Sequence, residues 1–213
     1  MAASFSSASS QYLTTISTPV SSGPFTISAF GRIATTGSVK TLVSIESGNS
    51  NILYQLYVAS NQQLGFESYG ASGTNGISVT SPLVSVNTFF HAAAVVNSAT
   101  SRSLILNGST KTSNALTNIG TTSVNRINIG SRYFSGALGG YQNGLIAEIG
   151  IWNAALTDAE ITSLAKGMTC DKIRPQSLVF YAPLVRDLND PKGGLAITNN
   201  NAATVANHPR VYA

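Results

Sequence analysis

The sequence predicts an all-β fold, a two-sheet antiparallel β-sandwich with one short helix near residues 157–166, and three observations carry this. Apolar and polar residues alternate with period two in run after run, the pattern of strands that bury one face. Of the 213 residues only 9% are charged and 43% are hydrophobic, and the runs are separated by Gly, Ser, Thr and Asn, which favour tight turns. Gly144 to Leu164 (GLIAEIGIWNAALTDAEITSL) passes from an apolar strand through a turn into a helix whose start signals are nearly complete. A chain of this length buries roughly 70% of its unfolded surface, so a single domain is stable without a disulfide or metal staple. Cys170 is the one cysteine and has no internal partner; its expected state is a small buried, neutral side chain after the helix.

Taken in order, the period-two runs are residues 25–33, 40–46, 52–58, 63–69, 76–80, 88–97, 102–107, 111–117 and 124–129, nine strands before the Gly144 stretch. Leu53 to Val58 and Leu64 to Tyr69 alternate as hairpin neighbours around a loop at 59–62. Asn107-Gly108 is the strongest two-residue turn signal and joins the runs on either side of it. Ser131 to Asn143 (SRYFSGALGGYQN) reads as a long glycine-containing loop. In the strand after it, strict alternation places Leu145, Ala147, Ile149 and Ile151 on one face and Ile146, Glu148, Gly150 and Trp152 on the other, so both faces are largely apolar and the strand is an inner one. Thr157 and Glu160 have capping-box spacing, Ile161, Leu164 and Ala165 share a helical face, and Gly167 stops the helix.

These pieces resemble, in order, the laminin-G-like domains of the concanavalin A-like lectin and glucanase superfamily. The closing signature matches at Ile146, Ala147, Glu148, Ile149, Trp152, Asn153, Ala155, Leu156, Glu160 and Ile161. Pro24 to Phe30, Thr41 to Ser44, Phe89 to Val96, Ser103 to Gly108 and Arg126 to Gly130 resemble earlier strands of the family, so the likeness covers residues 10 to 167. It implies a jelly roll. It does not imply a ligand, because the superfamily hosts lectins, glycosidases, adhesion modules and virion proteins. Ala147 stands where the family has Asp, which weakens any polar network carried over to that strand.

We expect residues 1–168 to form the sandwich and 169–213 to be a C-terminal segment that adds one strand, 177–184, to it. Ser177 to Leu184 (SLVFYAPL) resembles a strand that usually opens laminin-G-like domains, and its expected place is beside the N-terminal strand, like a circular permutation. Arg186 to Asn201 reads as loop. Asn207 to Val211 resembles the tails of phage-encoded proteins with this fold. Met1 to Gln11 has neither a basic region nor an apolar core of roughly 7 to 15 residues, and no apolar run approaches the roughly 20 needed to span a bilayer. The expected setting is therefore a virion, made in the host cytoplasm without a signal peptide; the alternative is extracellular.

Chemistry is sparse. The glucanases of the superfamily carry two carboxylates close together on one strand; here Glu148 has Gly150 two residues on and no acid until Asp158. Glu46 and Glu67 lie on other strands. His91 and His208, the two histidines, have no second nitrogen or sulfur ligand at zinc-like spacing, and His91 falls on the family's strand histidine, a structural role. We expect no catalytic residue, no cofactor and no metal; Asp187, Asn189 and Asp190 are the calcium alternative, against an Asx-rich turn. Glu148 is read as a structural acid bonded to loop backbone. The twelve basic and eight acidic residues give +4, but the bases are scattered singly, which argues against nucleic acid.

What remains is binding or assembly. Tyr133, Phe134, Tyr141, Gln142 and Asn143 combine rings that stack on sugars with amides that bond hydroxyls, and are the glycan candidates; the competing reading folds Phe134 and Tyr141 inward. His208, Pro209, Arg210 and Tyr212 are the partner-docking candidates, as an arm. The expected function is a non-enzymatic phage virion structural protein, a capsid decoration, fibre or tail-associated module with weak glycan binding. Its expected partners are other virion proteins, further copies of itself and a host-surface glycan, with no nucleic acid and no membrane insertion. The alternative is a secreted bacterial carbohydrate-binding lectin or adhesion domain.

Overall fold

Each of the nine period-two runs forms a strand, and among the described residues six further short strands appear where the sequence signals are weaker. The computed structural model describes residues 2–48, 53–70, 75–115, 123–185 and 187–212, with the backbone alone for 75–82. In chain order the strands are β1 (Ala2–Phe5), β2 (Tyr12–Thr15), β3 (Phe25–Ile33), β4 (Lys40–Glu46), β5 (Leu53–Val58), β6 (Gln63–Tyr69), β7 (Asn75–Leu83), β8 (Phe90–Ser98), β9 (Ser101–Leu106), β10 (Thr110–Asn114), β11 (Arg126–Ile129), β12 (Arg132–Phe134), β13 (Ala137–Gly139), β14 (Gly144–Trp152), β15 (Leu178–Ala182), β16 (Thr198–Asn200) and β17 (Thr204–Ala206). The single α-helix among the described residues, α1, is Asp158–Ala165. Ile52, Leu116 and Thr117, at the ends of two expected strands, lie outside the described residues.

Two antiparallel sheets face each other. One runs β10-β9-β8-β3-β14-β1-β17, and β15 also pairs with β14; the other runs β16-β2-β11-β4-β5-β6-β7. Their inner faces close on one core that includes Phe25, Ile27, Leu42, Ile45, Tyr54, Phe66, Ile127 and Phe180. The expected sandwich and its hairpin at 59–62 are present, with Ala59 N donating to Gln63 O at 2.8 Å. Asn107 and Gly108 take φ of 52° and 69°, the left-handed pair that a tight hairpin turn between β9 and β10 demands.

β14 corrects the strict alternation. A bulge lies between Ala147 and Gly150 in its pairing with β3, and Glu148 sits there at φ 51°. The extra residue switches the sides. Ile146, Ile149 and Ile151 therefore join the core, while Leu145, Ala147 and Trp152 face outward. The bulge also divides one edge of β14: β1 pairs with its first half (Ala3↔Ile146, Phe5↔Gly144) and β15 with its second (Ile149↔Ala182, Ile151↔Phe180). β15 and the N-terminal strand thus stand end to end along the same neighbour.

The outward apolar residues of this sheet need a cover, and α1 with the turn at 170–172 supplies it: Ile161, Leu164, Cys170 and Ile173 pack on Trp152, Val95 and Ile105. Trp152 Nε1 donates to Ile173 O at 2.8 Å, so its one polar atom is satisfied. The capping box is formed as expected, with Thr157 Oγ1 accepting from Glu160 N and the Glu160 carboxylate accepting from Thr157 N at 2.7 Å. Arg174 clamps that carboxylate at 2.6 and 2.8 Å.

Two loop expectations are corrected. Residues 131–143 hold the β12–β13 hairpin, turned through Ser135-Gly136. Arg186 to Asn201 contains β16, and β17 follows it; Asn199 bonds Ala203 at both ends, fixing the corner by which the chain passes from one sheet to the other. Residues 2–5 and 12–15, with too few large apolar residues to read as strands, pair along β14 and β11.

Candidate functional site

Residues paired across antiparallel strands share a face, so the registers define a polar row on the outer side of the seven-stranded sheet: Thr14, Asn128, Ser44, Gln55 and Glu67. The adjacent row holds Arg126, Glu46, Leu53 and Tyr69. The β12–β13 hairpin folds over both rows. Its Arg132 Nη1 donates to Gln55 Oε1 at 2.7 Å and to Glu67 Oε1 at 2.9 Å, and its Tyr133 N donates to Glu46 Oε2 at 2.8 Å.

Glu46 is fully buried and also accepts from Ser44 Oγ at 2.8 Å and Asn128 Nδ2 at 2.6 Å. Loss of water pushes the carboxyls of Glu46 and Glu67 above their ordinary range, partly opposed by the hydrogen bonds and by Arg126 and Arg132. Two raised carboxyls on one sheet face are what a glycosidase needs. Here, however, the hairpin engages both: Arg132 Nη1 donates to Glu67 and Tyr133 N to Glu46, so each carboxylate is bonded by the protein itself.

Beside this roof lies an open cleft of ≈ 280 Å³ lined by Ser7, Ser38, Val39, Lys40, Arg132, Gly140 and Tyr141. Tyr141 is half-buried and sits 6.3 Å, ring to ring, from Tyr12. Phe134 packs edge-on against Tyr69 at 4.9 Å, and the Arg132 guanidinium lies 4.9 Å above the same Phe134 ring. The long segment is therefore divided. Tyr141 borders the cleft, Phe134 folds down on the sheet as the competing reading allowed, and Tyr133 anchors Glu46 through its backbone.

Gln142 is a correction. It is fully buried, its Nε2 donating to Arg32 O at 3.4 Å, and so presents no amide at the surface. Asn143 Nδ2 donates to Thr35 Oγ1 at 3.1 Å and Asn143 O accepts from Ala34 N, which ties it to the loop after β3. Tyr12, Lys40, Gln55, Tyr69 and Arg132 escaped the sequence reading. The available signal was the second face of β4, β5 and β6, where Ser, Gln, Glu and Tyr recur at period two.

The remaining candidates lie elsewhere. Asp190 is buried, and its carboxylate accepts from Tyr181 N, Lys192 N and Gly193 N on Oδ1 and from Leu195 N on Oδ2, which uses the lone pairs a cation would need. The calcium alternative is thereby corrected to an Asx turn; Asn189 pairs with Ala196 beside it, and Asp187 borders a separate cavity of ≈ 180 Å³ with Leu184, Leu188 and Val205. Glu148 bonds side chains rather than loop backbone: it accepts from Tyr181 Oη at 2.7 Å and lies 3.3 Å from His208 Nε2. Burial and the neighbouring carboxylate push the Tyr181 hydroxyl far up, so it stays protonated as the donor.

His208 thereby pins the tail instead of projecting as an arm. Pro209 is buried, Tyr212 N donates to Gly167 O at 2.6 Å, and Thr169 N donates to Tyr212 O at 3.2 Å. Arg210 and Tyr212 remain exposed, stacked at 5.2 Å. His91 is buried between sheet neighbours, with Nε2 bonded to Ser28 Oγ at 2.8 Å and Nδ1 without a partner among the described residues, so it is structural but only half satisfied.

A two-sheet jelly roll whose acids are locked in a side-chain network and whose open cleft is bordered by a tyrosine and two cations has the architecture of a lectin-like module. The chain belongs to the concanavalin A-like lectin/glucanases superfamily, whose family model matches residues 7–162. No curated protein matches the sequence. Among solved structures it is similar in fold to a candidate carbohydrate-binding protein from Bacteroides ovatus (TM-score 0.70, 15% identity, 95% of this chain), of which it spans 58% of the length. It is similar also to a heptameric SAP-like pentraxin from Limulus polyphemus (TM-score 0.64, 16% identity, 91% of this chain and 87% of that one). A third is the CBM40 of the Ruminococcus gnavus IT-sialidase, solved with α2,3-sialyllactose (TM-score 0.58, 17% identity, 68% of this chain and 84% of that one).

Proposed function

We propose that this protein is a non-catalytic glycan-binding module whose sugar site is the cleft between the β12–β13 hairpin and the Ser38–Lys40 segment. The observation that carries this is the contrast on one sheet face: Glu46 and Glu67 are covered by Arg132 and Tyr133, while Tyr141, Ser7 and Ser38 line an open space beside them. A tyrosine ring offers the apolar face on which sugar C–H groups stack, and the serine hydroxyls exchange hydrogen bonds with sugar hydroxyls. At ≈ 280 Å³ the cleft is at the small end of ligand sites, which run from roughly 300 to 1,000 Å³, and suits one sugar unit. The carbohydrate-binding neighbours support the same reading.

The finer reading is a tailed-phage virion component, a decoration, fibre or tail-associated module, in which many copies on one particle turn weak single contacts into avidity. Its support is the resemblance of Asn207 to Val211 to the tails of phage-encoded proteins. Mass spectrometry of purified particles tests that setting. For the sugar site, a glycan array with the full chain should give binding that Tyr141→Ala weakens about fivefold to tenfold, close to 1 kcal/mol. Binding that Tyr141→Ala leaves unchanged, or release of reducing sugar, removes the proposal.

A further inference from the structure

Among the described residues, two cations and no carboxylate line the cleft, and the two are unequal. Arg132 is offset by Glu67 at 2.9 Å. Lys40 is only 4% exposed, its ammonium donates to Ser38 Oγ at 2.7 Å, and among the described residues no carboxylate oxygen lies within 4.0 Å of it. An ammonium partly withdrawn from water without a counter-ion is unfavourable, and an arriving anion relieves it. Burial accordingly holds the Lys40 pKa below its ordinary value, with no acid opposing the shift. The Ser38 hydroxyl accepts from Lys40, so its own proton is free to be donated, and Ser7 adds a second hydroxyl.

Resting on the sugar-binding reading of this cleft, we infer that the sugar it takes is an acidic one, whose carboxylate or sulfate oxygens pair with the Lys40 ammonium while the ring lies against Tyr141. Lys40 is then the residue that sets specificity, and Arg132 a long-range contributor already engaged with Glu67. A charge-assisted hydrogen bond in a site of low exposure strengthens binding more than a neutral one.

Amide chemical-shift titration of the full chain with glucuronate, glucose and inorganic sulfate tests this, because the two sugars differ only in a carboxylate. Glucuronate should shift Lys40, Gly140 and Tyr141 and bind at least tenfold tighter than glucose. Sulfate should shift the same amides, and a sulfate Kd below that of glucuronate assigns the anion to a sulfated rather than a carboxylated sugar. Lys40→Met, which keeps the apolar stem, should erase the preference by weakening glucuronate at least tenfold; Lys40→Arg should retain it. Equal Kd values for glucuronate and glucose, or a preference that survives Lys40→Met, overturn the inference while the sugar site stands. Absence of any shift at these amides with all three probes overturns both.

Discussion

Buried on β8 against Phe30, with one ring nitrogen bonded to Ser28 and the other bare, His91 is held neutral, its pKa pushed down from 6.5 to about 3 by loss of water. The unfolded chain takes up a proton that the folded one refuses. The stability this provides is complete above pH 6.5 and is lost as pH falls toward 3, at about 1.4 kcal/mol per pH unit. Urea midpoints between pH 6.5 and 4.5 should therefore fall more steeply in the natural protein than in His91→Asn; parallel slopes would remove the histidine from the account. Glu46 and Glu67 act in the opposite sense, because their raised folded pKa values make stability decline as pH rises from 4.5. Arg132→Met leaves Glu67 buried without its cation and should destabilise by about 2–3 kcal/mol, and adding Glu67→Gln should restore part of it, as the double-mutant cycle reads. None of this pairing was legible from spacing, since Arg132 and Glu67 are 65 residues apart and meet only because a hairpin crosses three strands.

At the scale of elements, local signals proved sufficient wherever the partner was also local. The Thr157–Glu160 capping box and the Asn107-Gly108 turn could be read directly, because each involves backbone groups within four residues. Thr157→Ala should lower stability by about 1 kcal/mol in thermal unfolding, without changing the fold. The bulge at Glu148 was invisible, because alternation is equally apolar on either side of it and only the pairing with β3, β1 and β15 shows the inserted residue. β1, β2, β16 and β17 were missed for a related reason: Ala, Ser, Thr and Asn are weak strand formers that pair here because strong neighbours present an open edge. The hairpin over the polar rows escaped as well, and it is the element that covers Glu46 and Glu67.

For the whole molecule, the last residues close the assembly rather than extend from it. Tyr212 bridges to Met168, and His208 reaches Glu148 on the bulge, so removing residues after Asn207 should lower the melting temperature and speed hydrogen exchange at Thr169 N, which loses its acceptor. The sandwich as a class was legible because alternation and turn chemistry repeat along the entire chain, whereas the site is a property of one outer face on which five strands, a hairpin and a loop meet. The central claim is that this face holds a sugar and does not cleave it. Amide chemical-shift mapping with a bound glycan from the array tests it most directly. Shifts confined to residues 7, 38–40, 132–134 and 139–141, with the glycan recovered intact, are the predicted result; shifts centred on the α1 side of the other sheet, or hydrolysis products in the tube, would contradict it.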